Sequence, residues 1–353
     1  MSTPITEPMF ELAEFSSFEL FSPVVDETRW FFKDLLGMIE TGRQGDSVYL
    51  RGWQDPYSHS LKITYRDRPG MGSAGWRAMS QPALERRVKA LESTGRGRGW
   101  VDGEVGVGDA YEFTLPDGAL QRIHWDVEYY KPTPAEKTVL LNRPNRRPLS
   151  GVPLRGLDHL NMLARNVTDN KEFFAENLGF KLSEHVVFGD NTEGGAWMRL
   201  QTRSHDVAFT KDATGQGGRL HHVAFSYGNT QHLEDACDVL TDHGLELEAG
   251  PARHAISQAQ FVYVFEPGGN RIELVDVAGY DVTDPSWEPV TWAQDDLDRA
   301  IIWYGAALPK EFDTYGTPHS GPTNYRTPNR YIATEAALLL GSGHVDAASP
   351  AAR

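Results

Sequence analysis

The sequence predicts an α+β protein of four βαβββ modules, set in two tandem barrel-like domains and followed by a C-terminal tail. Three observations predict it. The chain repeats itself, each repeat switches between strand and helix periodicity, and a Pro/Arg-rich stretch separates the copies.

The first repeated element is VVDETRWFFKDLLGM (Val24 to Met38), matched by NVTDNKEFFAENLGF (Asn166 to Phe180). The FF pair and the LG stop align at a constant offset. Each segment reads as a polar N-cap region, an amphipathic helix and a glycine stop at Gly37 or Gly179. The next pair is PALERRVKALESTG and TQHLEDACDVLTDHG. Both keep apolar residues at helical spacing (Leu84, Val88, Leu91; Leu233, Cys237, Leu240) and close on Gly95 and Gly244. Then FTLPDGALQRIHW matches VFEPGGNRIELV, each a strand, a Pro-Gly turn and a strand. The expected boundaries are residues 1–131 for the N-terminal pair of modules, 132–153 for the linker and 154–282 for the C-terminal pair. Residues 283–353 form a lid or oligomerisation tail whose end, HVDAASPAAR, reads as disordered.

Composition narrows the function classes. Forty per cent hydrophobic residues over 353 positions can build real cores. A net charge of −15 disfavours nucleic acid or an anionic membrane as partner. The single Cys237 excludes an intramolecular disulfide and reads as a small buried hydrophobe. The N-terminus lacks a basic and then apolar leader, and no run approaches a membrane span, so a soluble cytoplasmic protein is expected.

Strand phase then selects a candidate metal site. In LDHLNML, His159 and Asn161 share one face while Leu160 and Met162 share the other. In LHHVAFS, His222 is in phase with Ala224 and Ser226, whereas His221 is in phase with Val223 and Phe225 and should pack on helices. In RIELV, Glu273 points away from Ile272 and Leu274. A lone strand histidine or glutamate is usually structural or solvated; three in matching phase on one sheet can converge. Two imidazoles and a carboxylate leave one side of a metal open, the arrangement of a non-haem Fe(II) that holds substrate and O2 together. The first half is an internal control. The repeat offset puts Ser17 at the place of His159, sets Trp76 opposite His222 and leaves His124 alone near the counterpart of Glu273. The N-terminal half is therefore expected to be metal-free and structural.

Beyond these residues, almost the whole chain resembles the type I extradiol catechol dioxygenases of the vicinal oxygen chelate superfamily. The fingerprint is ARHAISQAQFVYVFEPGGNRIE (Ala252 to Glu273): His254, seven residues, an apolar-Tyr pair, an acidic residue with Pro, then Gly and the ligand Glu273. Ala252 is the one departure from it. The homoprotocatechuate and catechol 2,3-dioxygenase branch is the nearest, through Trp197 eight residues before His205 in an HDxA setting, and Asn161 two residues after His159.

The resemblance implies extradiol cleavage of a catechol by O2 to a muconic semialdehyde-type product, in aromatic hydrocarbon catabolism, by a homotetramer. It implies Fe(2+), with Mn(2+) as the alternative, on His159, His222 and Glu273. It further implies His205 as acid-base, His254 and Tyr263 as contacts to the substrate oxygens, and Asn161 and Trp197 as pocket walls. Relatives acting on arylacetate catechols carry arginine where this chain has Ala249, which favours a neutral or alkyl-substituted ring; Arg253 and Arg271 are the candidates for an anionic one, and Arg299 is out of register. The rival readings on the same fold are a glyoxalase-type metal-dependent isomerase and a metal-free ligand-binding module. His185, His232, His243 and His344 are assigned to the surface, and Trp287, Trp292, Trp303 and Tyr304 to a lid or a subunit contact.

Overall fold

The structure, a computed structural model, describes residues 11–277 and 279–319. The first module runs Leu12–Ser22 (β1), Val25–Trp30 (α1), Ile39–Gln44 (β2), Ser47–Arg51 (β3) and Leu61–Tyr65 (β4). The second is Gly70–Ala78 (β5), Gln81–Ser93 (α2), Gly97–Val101 (β6), Ala110–Thr114 (β7) and Leu120–His124 (β8). The third is Gly156–Ala164 (β9), Val167–Leu178 (α3), Lys181–Val187 (β10), Glu193–Arg199 (β11) and Val207–Lys211 (β12). The fourth is Arg219–Ser226 (β13), Gln231–Asp242 (α4), Leu247–Arg253 (β14), Gln260–Phe265 (β15) and Arg271–Val275 (β16). The tail adds Val290–Ala293 (β17) and Leu297–Ile301 (α5). The four βαβββ modules of the sequence repeat are present.

The modules pair into two sheets of the same plan. The first is ordered β2-β3-β4-β1-β5-β8-β7-β6, and the second β14-β15-β16-β13-β9-β12-β11-β10-β17. Among the described residues neither closes into a full barrel: β2 and β6 are the edges of one, β14 and β17 of the other. The extra strand β17 is the tail, added parallel to β10. No helix among the described residues is long and apolar enough to cross a membrane.

Local chemistry explains the helix ends. Asn166 caps α3 by accepting from the N–H groups of Thr168 and Asp169, and Gly179 ends it at φ +79°. The first repeat differs. No side chain caps α1 at Val24, and the helix runs on into a π turn, Phe31–Leu35, with Phe31 and Phe32 buried. Gly37 has φ +61°, and a Cβ there would lie 2.7 Å from Pro153 Cα, so the linker docks where only glycine fits.

The two halves share one core. Trp76 of β5 packs its ring against Phe174 and Phe180 of the second half, and Phe225 of β13 packs against Phe32 of the first. Each half thus supplies a helix face to the other. Leu84, Val88, Leu91, Leu233 and Leu240 are buried as their spacing requires, while Cys237 is half-buried at the core's edge with its thiol pushed up to about 11 by burial. The tail end expected to be disordered, with His344, lies outside the described residues.

Candidate metal centre and active site

The strands β16, β13 and β9 are neighbours in the second sheet. Glu273 stands opposite Ala224, and His222 opposite Asn161. That register brings one ligand atom each from His159, His222 and Glu273 within 4.8 Å of one another. All three residues are buried. The two Nε2 atoms are 3.2 Å apart, and Glu273 Oε2 lies 2.8 Å from His159 Nε2 and 3.1 Å from His222 Nε2. Yet Glu273 Oε2 accepts no hydrogen bond. A buried carboxylate oxygen facing two ring nitrogens is a group that could hold a metal ion. With neutral imidazoles the set carries −1, so a divalent ion leaves +1 and an open side.

Hydrogen bonds fix which nitrogens face the centre. His159 Nδ1 lies 3.0 Å from Asp158 Oδ1, to which it donates. Burial opposes charge on His159, but Glu273 and Asp158 outweigh it and lift the imidazole to about 9. Burial takes His222 down to about 4 against the pull of Glu273. Burial would raise Glu273, and the two histidines hold it well below the usual carboxylate range. In the metal-free site His159 and Glu273 thus favour each other's charged forms, and metal binding requires the imidazole to give up its proton.

Three further groups border the centre. His205, from the loop before β12, places its ring 4.2 Å from that of His159, and burial with His159 beside it keeps it well below its usual range, hence neutral. His254 stacks on Phe261 at 3.8 Å; its Nδ1 donates to the Ile301 carbonyl, and its Nε2 lies 3.3 Å from both the Tyr263 hydroxyl and Glu273 Oε1. Burial, with Glu273 nearby, raises Tyr263 well above its usual range, so it stays protonated. A cavity of about 1310 Å³ opens over these groups, with Asn161, Trp197, Val186, Phe188 and Ile256 in its walls. The tail roofs it with Leu297, Ile302, Leu308 and Phe312.

Several expectations need correction. Ala249 and Arg253 do not line the cavity. Ala249 is packed beside Phe261, Tyr263 and Phe312, and Arg253 donates to the Gln258 carbonyl. Arg271 is fully buried and paired with Glu248, so it is not available to a substrate. Arg299 does reach the cavity mouth, paired with Asp296 at 2.6 Å. His221 does not pack on helices. A register shift between Leu220 and His222 turns its ring to within 4.6 Å of the Phe312 ring. His185, His232 and His243 are half-buried with partners; His185 bridges Glu193 and Thr291 and so pins β17. Trp287 and Trp292 dock on the chain's own sheet through Ser183 and Glu184, while Trp303 and Tyr304 are exposed. The residue the sequence reading passed over is Asp158; its place one step before His159 was the available signal.

The register also revises the internal control. Gly75 pairs with Ser17 and with Arg122 as Ala224 pairs with Glu273. The counterparts of His222 and Glu273 are thus Ser73 and Arg122, not Trp76 and the neighbourhood of His124. Trp76 corresponds to Phe225, a core residue like itself.

Residues 156–274 match the model of the Glyoxalase/Bleomycin resistance protein/Dioxygenase superfamily. The chain is 46% identical to a metapyrocatechase of Geobacillus stearothermophilus, over 90% of this chain and 97% of that one. The chain belongs to the type I extradiol dioxygenases. This extradiol dioxygenase is also 36% identical to a manganese-dependent 2,3-dihydroxybiphenyl 1,2-dioxygenase of Geobacillus genomosp. 3, over 84% and 95% of the two chains. Its fold matches the crystal structure of homoprotocatechuate 2,3-dioxygenase from Arthrobacter globiformis with a TM-score of 0.77, at 24% identity and covering 90% and 95% of the two chains.

Proposed function

We propose that this enzyme cleaves a catechol ring beside its two hydroxyls with O2, at Fe(II) held by His159, His222 and Glu273, and releases a muconic semialdehyde-type product. The observation that carries the reading is the convergence of those three ligand atoms at the floor of the cavity, within reach of three more proton-handling groups. Bound there, the divalent metal supplies open positions for the catechol oxygens and for O2, and lowers a hydroxyl's pKa. The protein's own groups do the rest. Tyr263, held protonated, donates to the oxygen that binds as the anion. His205, held neutral by burial, takes the second hydroxyl proton and returns it later. His254, with its Nδ1 proton fixed by Ile301, presents Nε2 to the substrate oxygens. Asn161 and Trp197 orient the ring.

The apolar walls Val186, Phe188, Trp197 and Ile256 support a neutral, apolar-substituted catechol. The N-terminal half serves as scaffold in this reading. The fully exposed Val139, Leu141 and Leu149 of the linker support self-association, which light scattering would measure. The deciding experiment is oxygen uptake by anaerobically purified, Fe(II)-loaded protein offered catechol, the methylcatechols, homoprotocatechuate and 2,3-dihydroxybiphenyl. One O2 per ring with a yellow product is expected, ranked towards the neutral rings. Metal-loaded protein that consumes no O2 with any of them would overturn the reading. Elemental analysis separates iron from manganese.

A further inference from the structure

His221 is buried, and no role above uses it. Its imidazole has a partner at each nitrogen. Nε2 lies 3.0 Å from the backbone oxygen of Phe312, and Nδ1 lies 2.7 Å from Nδ1 of His222. A carbonyl oxygen can only accept, so His221 Nε2 carries a proton. A neutral imidazole carries only one. His221 Nδ1 is therefore a lone pair, and His222 Nδ1 must be the donor to it. That leaves His222 Nε2 as a lone pair, and this is the atom 3.1 Å from Glu273 Oε2. Without this chain of constraints, His222 is free to carry its proton on the nitrogen that faces the metal.

The accepting carbonyl is itself held in place. Arg219 donates to the carbonyls of Thr314 and Gly316, and Arg271 to that of Tyr315. Leu220 and Thr317 exchange two backbone hydrogen bonds at 2.7 and 2.9 Å. The Phe312 ring rests 4.9 Å from Tyr263. The tail segment just after Phe312 is thus fastened to β13 and β16.

We propose that His221 is a positioning residue that fixes the metal-binding tautomer of His222, with the Phe312 carbonyl of the tail fixing the tautomer of His221 in turn. This rests on the metal-centre reading above. His159 and His222 then differ in support: a carboxylate, Asp158, orients the first, and a neutral imidazole tied to the tail orients the second.

The test compares His221→Leu with His221→Asn. An asparagine Oδ1 falls near the place of the lost Nδ1 and can only accept, so it preserves the demand on His222. The Leu variant is expected to bind Zn²⁺ and Co²⁺ about 10–100-fold more weakly by chelator competition, with an altered Co²⁺ visible spectrum. The Asn variant is expected to recover most of the affinity and the wild-type spectrum. Near-UV circular dichroism of the metal-free proteins checks that both are folded; should Leu fail to fold, the Asn variant decides alone, its tight binding sustaining the proposal and its loss refuting it. Zn²⁺-loaded wild type should show the His222 proton on Nδ1 by ring-nitrogen NMR, and a proton elsewhere refutes the proposal. Equal metal affinity in wild type and a folded Leu variant, or equal loss in Leu and Asn, would overturn this inference alone. Wild type that binds neither metal would overturn the metal-centre reading, and this one with it.

Discussion

The two halves of this chain use one sheet plan to build two different clefts. In the C-terminal half, three adjacent strands present His159, His222 and Glu273 to a cavity of about 1310 Å³. In the N-terminal half, the same strand positions carry Ser17, Ser73 and Arg122 around a cavity of about 30 Å³. Arg122 pairs there with Glu104 and Glu112, and Lys62 pairs with Glu19 at 3.1 Å and Glu104 at 2.8 Å. The first cleft is thus filled by cations of the protein's own, where the second is shaped to accept one from solution. Buried histidines remain beside it, but burial takes His59 down to about 4 and His124 to about 3, and no carboxylate balances them as Glu273 balances His159. A fold duplicated in this way becomes a metal site in one half by exchanging three side chains at fixed register, while the helices keep packing across both halves.

The largest expected effect tests the ligand set. Glu273→Gln should leave the protein folded, but with iron occupancy below about a tenth of wild type and turnover lost with it, because a neutral amide cannot balance the ion. Full occupancy by elemental analysis would sink the assignment. Next, His205→Phe should keep the metal and lower kcat by about 10²–10⁴-fold, the range for a lost acid-base group. Unchanged steady-state rates would remove His205 from the chemistry. The matching change in the other half is Arg122→Met. It should leave metal content and kcat alone and cost about 1–3 kcal/mol in denaturant unfolding, by leaving Glu112 without its partner and Glu104 with Lys62 alone. A loss of iron in that variant would break the division of labour between the halves.

The smallest effect is in pH. His159 is raised above its unfolded value in the metal-free protein. Its contribution to stability is then fully present below about pH 6.5 and is lost as pH rises through about 9. Thermal melting of the metal-free protein should decline over that window. The metal-loaded protein, which holds an ion in place of the proton, should lack this decline. Parallel profiles with and without metal would show that proton and metal do not share the site.

Much of this was legible in the chain. The repeat of strand and helix periods gave the four modules, because periodicity is a local property of side-chain direction. The same alternation put His159, His222 and Glu273 on the polar faces of their strands. It misplaced His221, because a register shift after Leu220 broke the alternation the sequence reading relied on. It matched Trp76 to His222 for a related reason: a constant offset cannot count the residues that bulges absorb between Phe15 and Ser17 and between Phe18 and Leu20. Ala249, Arg253 and Arg271 were assigned by spacing from His254 and Glu273, but whether they meet the cavity depends on what else packs against them.

The sequence by itself determined the α+β repeat, the helix stops at Gly37 and Gly179, and which side chains leave the apolar face. Tertiary structure alone decided that Arg122 and Ser73 fill the sister cleft, that the tail roofs the cavity, and that Phe312 reaches back to His221. The physical reason is that side-chain direction follows from a strand's own backbone, whereas register, bulges and long-range carbonyl contacts are set jointly with neighbouring strands far away in the chain.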